Sequence, residues 1–295
     1  MTKRLSLVMA TLGRTIETER CMDSLAAQTC HDFELIVVDQ NSDDRLVPVV
    51  ARARELGLDC LHLRQSEPNL CMARNAGIAR AVGEIVAFPD DDCWYEAEVV
   101  EQVLARFERQ AELDGLVIRW HETGDAQPEQ QFSFEQFGQF RGASASSITL
   151  FFRGDCLRRA GGFDYALGLH SWYGAGEETD LMLHVLGAGE VIEYTPDIVV
   201  HHAVHSPASL PPGQMFRHAR KRARGTGALY VRHKLPAWVI IRGMAGSILR
   251  VFLNVRHPPR AAHELGLAVG RLEGYVGWLL GYRVSKGMQA HEKGS

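Results

Sequence analysis

Three adjacent aspartates, Asp90, Asp91 and Asp92, follow the apolar run "EIVAFP". Adjacent carboxylates repel one another, and no lysine or arginine stands near them in the sequence. Mg²⁺ and Mn²⁺ bind carboxylate oxygens and complete their coordination with water and phosphate groups. The triplet therefore indicates a site for a divalent cation and a phosphate-bearing ligand. The alternative is that the aspartates cap the N-terminus of a following helix, for which one aspartate would suffice.

Other polar residues also follow apolar runs. Thr11 and Arg14 come after "LSLVMA", and Asp39 closes "FELIVVD". The runs rich in Val, Ile and Leu predict strands at 5–10, 33–39, 58–63 and 84–90, and the stretches between them predict helices at 15–27, 45–56, 70–82 and 95–110. This alternation predicts an α/β fold with a mostly parallel sheet and helices on both faces. Ligands of such sheets bind where the strands end, so all three polar groups are expected at one edge.

The alternation stops after residue 113. "GLVIRW" and "SSITLFF" predict two more strands, joined by a Gln- and Phe-rich connection over 124–141. "HSWYGAGEETDLMLHVLGAG" predicts a glycine-rich loop that leads into a helix, with Glu177 and Glu178 in its first turn. "EVIEYTPDIVVHHAVH" predicts a strand, a proline turn and a second strand that ends in histidines.

Four segments, in order, resemble the signature segments of glycosyltransferase family 2, the inverting enzymes of the GT-A fold. They are "LVMATLGR", "QTCHDFELIVVDQNSDD", "ARNAGIARAVGEIVAFPDDD" and "GAGEETDL", and the resemblance covers about residues 4–205. It implies a GT-A-type, Rossmann-like fold and transfer of a hexose or deoxyhexose from a nucleoside-diphosphate sugar to an acceptor hydroxyl with inversion. It also implies a divalent cation, Mn²⁺ or Mg²⁺.

The resemblance assigns residues to the donor. By this resemblance Asp39 accepts hydrogen bonds from the nucleotide base, the backbone around Thr11 lines the same pocket, and Arg74 contacts the nucleotide. Arg14 and Asp91, expected at the same edge, complete the predicted donor-binding set.

The family's DxD motif corresponds to Asp90 and Asp92. By this resemblance Asp92 holds the metal, and Asp90 faces the ribose and metal-bound water, so both are predicted at the metal. Related enzymes often supply a histidine from a later strand as a further ligand, and His202 best matches that position. The adjacent His201 is the alternative, and a structural role for either histidine stays open.

The "GEETDL" segment is expected to serve the acceptor. Glu178 stands at the position of the family's catalytic acid and is predicted to be the base that accepts the hydroxyl proton, with Glu177 as the alternative. Both could instead be acids that the helix dipole stabilises. Trp172 and Tyr173 could form a platform for the acceptor sugar or could be core aromatics.

The chain is basic from residue 206 onward, where 15 lysines and arginines face three acids, a net charge of +12, whereas the first 205 residues carry −16. The pattern from about residue 206 is helical, with proline-containing breaks near 207–212, 236 and 258–259. Two helical patterns place basic residues on one face, Arg217, Lys221 and Arg224 in the first and Arg242, Arg250 and Arg256 in the second. The apolar opposite face of the second pattern is typical of helices that lie on an anionic membrane. The alternative is a helical hairpin packed on the catalytic domain.

We therefore expect a GT-A catalytic domain over 1–205 and a basic amphipathic helical extension over 206–295. The expected partners are a nucleotide sugar, a glycan or lipid-linked acceptor of a surface polysaccharide, and an anionic membrane surface. Nucleic acid is not expected, because basic and aromatic residues are not interleaved. Neither a signal peptide nor a spanning helix is predicted, which favours a protein at the cytoplasmic face of the membrane. The six cysteines are expected to be free core residues.

Two other functions fit parts of the pattern. A nucleotidyltransferase shares the sheet and the metal-binding acids, but usually has a glycine-rich basic loop after its first strand, where "ATLGRTIET" has one glycine. A non-catalytic scaffold that binds sugar or membrane would not need "GEETDL". A Rossmann dehydrogenase is excluded because no GxGxxG follows the first strand.

Overall fold

The structure is a computed structural model that describes residues 3–123, 132–203 and 210–282. Part of the connection predicted at 124–141 lies outside these residues. The strands are β1 (Leu5–Thr11), β2 (Phe33–Asp39), β3 (Cys60–Arg64), β4 (Ile85–Ala87), β5 (Cys93–Tyr95), β6 (Gly115–Thr123), β7 (Leu150–Arg153) and β8 (Ile192–Ala203). The helices are α1 (Ile16–Ala26), α2 (Val47–Glu55), α3 (Leu70–Ile78), α4 (Val99–Arg109), α5 (Phe134–Gly138), α6 (Gly154–Ala160), α7 (Glu177–Gly187), α8 (Pro212–Arg232), α9 (Ala237–Leu253) and α10 (Pro258–Leu279).

The chain divides into two compact units. The first comprises the described residues of 1–137, 141–162 and 181–204, and the second those of 138–140, 163–180 and 205–295. Residues 163–180, which include both glutamates of "GEETDL", thus belong to the second unit. The division into a catalytic domain and an extension at residue 205 stays a prediction.

The first unit contains one eight-stranded sheet in the order β3-β2-β1-β4-β7-β6-β8-β5. The first four strands in this order are parallel, β7 is antiparallel to β4 and β6, and β8 is parallel to β6. Every residue of β2 and all but one of β1 are buried. This burial explains why these strands are mostly apolar, since helices cover both faces of a parallel sheet.

Helices α1, α2 and α3 lie close to their predicted positions, and α4 begins at Val99, four residues later than predicted. Helices α5 and α6 were not predicted, and α5 lies within the segment that was expected to be a connection. In α4, Val99, Val103 and Phe107 recur at helical spacing and are buried against the sheet. The segment directly after the three aspartates forms the short strand β5, which pairs with β8. The proposal that the aspartates cap a helix is therefore wrong.

Strand β8 is continuous where a strand, turn and strand were predicted. Its pairing with β6 shifts between Ile118, opposite Thr195, and Arg119, opposite Val199. Residues 196–198 are therefore extra on β8, and they begin with Pro196, which has no N–H to donate to a ladder. The residues that predicted a turn form a bulge in the structure. Beyond this bulge β8 continues between β6 and β5.

The second unit is built on α8, α9 and α10, which begin at or beside the prolines that predicted the breaks. Its core contains the buried residues Leu167, Tyr173, Leu229 and Trp278. The glycine-rich loop belongs to this unit and enters α7 through Gly176, at φ +109°.

Helices α8 and α10 run parallel and approach closely through glycines. A Cβ atom on Gly266, Gly270 or Gly274 of α10 would lie within 2.5 Å of the carbonyl oxygens of Phe216, Arg220 and Arg224, in that order. The three glycines and their three partners on α8 are each spaced four residues apart. The glycines therefore form one face of α10 that packs along one face of α8. These glycines are needed because any side chain there would meet backbone.

Helix α9 differs in two respects from the prediction that one face of it carries three free arginines. It ends at Leu253, so Arg256 lies beyond it. Arg242 donates to the carbonyl oxygen of Gln139, and Nε of Arg250 lies 2.9 Å from Oε1 of Glu264, so both arginines have partners in the protein. Its apolar residues are exposed instead, with Phe252 and Leu253 at 72% and 71%.

Within residues 3–123, 132–203 and 210–282, none of the helices combines the length and the apolar character that are needed to cross a membrane.

Candidate functional site

The three aspartates lie in the loop between β4 and β5, beside the end of β1. Thr11, the last residue of β1, donates its hydroxyl to Oδ2 of Asp91 at 2.7 Å. Nη1 of Arg14 lies 2.5 Å from Oδ1 of Asp91 and 2.9 Å from Oδ2 of Asp92. The structure thus brings together four of the predicted residues, and Asp91 binds the two from the β1 end.

Asp90 meets a second arginine. Nη2 of Arg74 lies 3.0 Å from Oδ1 of Asp90, and it also donates to the hydroxyl of Ser147 at 2.6 Å. Arg74 is 3% exposed and stands on α3, whose first turn is capped by Asn69 through a 3.0 Å bond from Met72 N. The tertiary fold therefore supplies the basic groups that the local sequence around the aspartates lacks.

His202 is the histidine that the fold brings to the aspartates. It stands opposite Cys93 in the β5–β8 ladder, and its Nε2 lies 3.1 Å from Oδ1 of Asp92. His201 points to the other face, where it stacks on Trp94 and lies 2.9 Å from Oε1 of Glu96. Alternation along the strand separates the two neighbours.

The site formed by the aspartates and His202 favours added positive charge, because the pKa values of Asp90, Asp91 and His202 are all raised. Burial raises the pKa of Asp90 against the opposing effect of the Arg74 guanidinium, and Asp92 raises it further. Burial also raises the pKa of Asp91. This effect exceeds the opposite effect of the hydrogen bonds from Thr11 and Arg14, which lower the pKa. The hydrogen bond to Asp92 raises the pKa of His202, although its burial acts in the opposite direction.

Asp90, Asp92 and His202 are arranged as a ligand set. Each offers one donor atom, and these atoms lie within 4.8 Å of one another. Two carboxylates and one imidazole on a single edge provide the donor types that divalent cations accept. The residues present therefore fit the predicted metal, and a cation would offset the carboxylate charge that burial makes unfavourable.

Asp39 lies at the end of β2, beside Thr11 at the end of β1 and opposite Arg64 at the end of β3. Its side chain is fully buried. Oδ1 accepts from the backbone and side-chain nitrogens of Asn41, and Oδ2 lies 3.0 Å from Nε2 of His62 and 2.8 Å from Nη1 of Arg64. Burial alone would raise its pKa, but these bonds and the Arg64 charge lower it.

As predicted, the two glutamates of "GEETDL" stand in the first turn of a helix, α7. They belong to the second unit and not, as expected, to the same unit as the aspartates. Glu177 is 5% exposed, whereas Glu178 is only half-buried. The more accessible Glu178 therefore suits contact with a ligand better than Glu177 does. Of the two aromatics before them, Tyr173 is a core residue at 1% exposure, and Trp172 packs edge-on against it while it stays half-buried.

Several residues around the predicted site were not foreseen. Asp180, 1% exposed in the first turn of α7, lies 2.6 Å from Nε of Arg232 and 2.7 Å from Nε2 of His233. Arg232 also lies 2.7 Å from Asp164. These partners come from distant parts of the chain and left no local signal. Arg64, in contrast, could have been found from the register that puts it opposite Asp39.

The sequence pattern of Glycosyl transferase family 2 matches residues 6–158, which is just over half of the chain. The chain belongs to glycosyltransferase family 2. The matched region contains the β1, β2 and β4 ends, the three aspartates and Arg74. The predicted family is thereby confirmed.

Curated relatives in this family match over about a third of the chain. A PGL/p-HBAD biosynthesis glycosyltransferase of Mycobacterium bovis is 34% identical over 102 residues, which is 34% of this chain and 40% of that protein. The putative glycosyltransferase EpsH of Bacillus subtilis is 31% identical over 103 residues, 35% of this chain and 30% of that protein. The chain thus spans well under half of the length of these relatives.

Solved structures with a similar fold cover nearly the whole chain. Residues 1–349 of TarS from Staphylococcus aureus, in complex with UDP-GlcNAc, match with a TM-score of 0.58 at 15% identity over 94% of this chain and 92% of that one. The mannosyltransferase PcManGT from Pyrobaculum calidifontis, in complex with GDP-Man and Mn²⁺, matches with 0.61 at 16% identity over 95% and 88%. The predicted GT-A-type α/β fold is confirmed.

Proposed function

We propose that the protein is an inverting glycosyltransferase that moves a hexose or deoxyhexose from a nucleoside-diphosphate sugar to an acceptor hydroxyl. The observation that carries this proposal is the convergence of Asp90, Asp92 and His202 at the carboxyl edge of the sheet. Family membership supports the reaction class, and the nucleotide-sugar complexes of the two similar structures support the donor class.

The donor phosphates would bind at the aspartate edge. Asp92, Asp90 and His202 would hold Mn²⁺ or Mg²⁺, which when bound neutralises charge on the departing nucleoside diphosphate. The side chain of Arg14 is 37% exposed, so it would be accessible to a phosphate oxygen beside the cation. Asp91 orients Arg14 and Thr11 through the contacts described above.

The nucleoside would bind towards Asp39. In the structure both oxygens of Asp39 are engaged by protein groups, and the most exposed of these partners is Arg64, whose side chain is 42% exposed. We propose that Arg64 turns away when the base binds, and that the base replaces its hydrogen bond to Oδ2. The remaining bonds from Asn41 keep the carboxylate in place.

The acceptor hydroxyl would be activated by Glu178. Its carboxylate takes the hydroxyl proton while the oxygen attacks the anomeric carbon on the face opposite the diphosphate, which inverts the configuration. The N-terminus of α7 favours the ionised carboxylate. Asp180, held by Arg232 and His233, fixes the turn of α7 that carries Glu178.

The acceptor is proposed to be a lipid-linked surface glycan at the cytoplasmic face of a membrane. The relative named as a PGL/p-HBAD biosynthesis glycosyltransferase supports a glycan acceptor. The exposed side chains of α9, Ile248, Leu249, Phe252 and Leu253, are 52% to 72% exposed and are apolar. Such a surface is unfavourable in water and suits the interface of a bilayer, while the net charge of +12 beyond residue 206 suits anionic lipids.

The test is a panel of nucleotide sugars measured by thermal unfolding with Mn²⁺, Mg²⁺ or EDTA. A donor at 100 times its Kd adds about 2.7 kcal/mol of stability, so the correct donor raises Tm and EDTA removes the rise. Transfer with that donor is then followed by NMR, and the product should have the inverted anomeric configuration. No Tm rise with any nucleotide sugar, or a retained configuration, would refute the proposal.

A further inference from the structure

Strand β5 follows directly after Asp92 and lies at the end of the sheet. It comprises only Cys93–Tyr95 and pairs with β8 on one side. Among the described strands none lies on its other side, so the backbone N–H and C=O groups at that edge have no ladder partner. The position of this short strand therefore determines where the Asp92 carboxylate lies.

Side chains of α1 and of the segment after it bind the open edge of β5. Three of them, spaced four residues apart and so directed to one side of the helix, bond to the backbone there. Nη2 of Arg20 donates to the carbonyl oxygen of Asp92 at 3.3 Å, Oγ of Ser24 accepts from the N–H of Tyr95 at 3.2 Å, and Nε2 of Gln28 donates to the carbonyl oxygen of Glu96 at 2.8 Å. These side chains thus take the place of a further strand.

Trp94 links Arg20 to strand β8. The guanidinium carbon of Arg20 lies 4.1 Å from the centroid of the Trp94 ring. The same ring stacks on His201, its partner in the β5–β8 ladder, with centroids 5.4 Å apart and planes at 10°. The next pair of the ladder contains His202, whose Nε2 lies 3.1 Å from Oδ1 of Asp92. The contacts of Trp94 therefore fix β5 on β8 beside two of the predicted metal ligands.

We propose that Arg20 and Trp94 are positioning residues that hold Asp92 beside His202 in the arrangement that the divalent cation requires. Asp92 leads into β5 and His202 stands on β8, so their separation is fixed only as well as β5 is fixed on β8. Arg20 acts on the backbone of Asp92, and Trp94 acts on the neighbouring ladder pair. Packing alone would not require an arginine, because Arg20 is exposed. The inference rests on the proposed function in that Asp92 and His202 hold the metal.

The experiment measures Mn²⁺ binding to the full chain by electron paramagnetic resonance, in which the signal of free Mn²⁺ is lost on binding. Titrations use Mn²⁺ alone and Mn²⁺ with UDP or GDP, the nucleotides of the donors in the two similar structures. Arg20→Leu and Trp94→Leu should each weaken binding about 10- to 100-fold, the usual loss when a group that orients a metal ligand is removed. Trp94→Phe keeps a ring for Arg20 and His201 and should stay close to the wild-type affinity.

The sign of the Arg20 effect separates positioning from charge. Removal of a positive charge near a cation site would by itself strengthen cation binding, because like charges repel. Weaker binding in Arg20→Leu therefore cannot come from the lost charge, and tighter or unchanged binding in this variant overturns the proposal. Arg20 is exposed, so its replacement leaves the buried core in place, and this variant decides the test if Trp94→Leu does not fold.

The matched control is Ser24→Ala, which breaks the hydrogen bond to Tyr95 and leaves Arg20 and Trp94 in place. It should lower the urea midpoint of unfolding and leave the Mn²⁺ affinity unchanged. An equal loss of affinity in Ser24→Ala would show that the general stability of β5, and not Arg20 or Trp94 in particular, sets the metal geometry. That result also overturns the proposal.

The outcomes separate this inference from the proposed function. If the wild-type protein binds Mn²⁺ and both leucine variants bind it equally well, the positioning role alone is refuted. If the wild-type protein binds no Mn²⁺, with or without nucleotide, the metal assignment of the proposed function is refuted, and the inference falls with it.

Discussion

Replacement of Gly270 by alanine tests the close contact between α8 and α10. A Cβ atom at this position would lie 2.3 Å from the carbonyl oxygen of Arg220 and 2.9 Å from Cβ of Ala223. Carbon–oxygen contacts in proteins settle at about 3.3–3.6 Å, so the helices must separate by about 1 Å. The first obstacle is backbone, and no side-chain rotation relieves it.

The expected cost follows from two opposing effects. Overpacking of a well-packed contact costs about 1–3 kcal/mol. The cost of separating α8 and α10 should reach the upper end of this range, because the neighbouring contacts of Gly266 and Gly274 are lost as well. Alanine is favoured over glycine in a helix by about 1 kcal/mol. We therefore expect Gly270→Ala to lower the free energy of unfolding by about 2 kcal/mol.

The matched control is Gly246→Ala in α9. The nearest atom to a Cβ at this position is the terminal Nη1 of Arg250 at 3.3 Å, which can move. This variant should gain up to about 1 kcal/mol from helix propensity, so the two alanine variants should differ by about 3 kcal/mol. Urea unfolding, with calorimetry as a second probe, measures the difference. If Gly270→Ala is as stable as Gly246→Ala, the described packing of α8 on α10 is wrong.

Three further predictions concern function. Asp92→Asn should abolish the Mn²⁺-dependent part of nucleotide-sugar binding measured by calorimetry, because it removes a charged ligand; unchanged affinity with Mn²⁺ would refute the metal assignment. Glu178→Gln should lower turnover by about 10²- to 10⁴-fold and leave donor affinity intact, whereas Glu177→Gln should have a smaller effect; the reverse order would assign the base to Glu177. The double variant Phe252→Ser with Leu253→Ser should reduce sedimentation with anionic vesicles at low salt without loss of thermal stability, and equal sedimentation would exclude α9 as the membrane-binding surface.

Removal of the chain from about residue 236 would be a less specific test of the same surface. That truncation would delete α9 and α10, and with them Trp278, which is 7% exposed and belongs to the core of the second unit. Loss of vesicle binding in a truncated chain would then report unfolding as well as loss of the surface. Point changes at exposed residues avoid this confusion.

Much of the first unit could be predicted from the sequence because its elements depend on local patterns. Continuous apolar runs determined β1 and β2, which are buried on both faces, and polar residues directly after such runs predicted the carboxyl edge of the sheet. The predicted breaks at prolines also match the starts of α8, α9 and α10. Each of these signals requires only neighbouring residues and the geometry of one strand or helix.

The same local signals did not distinguish a bulge from a turn. Pro196 predicted a break in the strand, and in the structure the strand continues on the far side. A proline forbids one ladder hydrogen bond, and both a turn and a bulge satisfy that condition. Pairing with β6 and β5, which are distant in sequence, made the choice.

The sequence by itself determined the family, the α/β fold and the chemical character of the site, because these depend on residue types and their order. Only the tertiary structure decided how the charges are balanced. Arg14 reaches the aspartates from the loop after β1, and Arg74 reaches them from α3. His202 rather than its neighbour His201 faces Asp92 because alternate residues of a strand point to opposite faces. Electrostatic balance depends on distances in space, and sequence separation does not encode those distances.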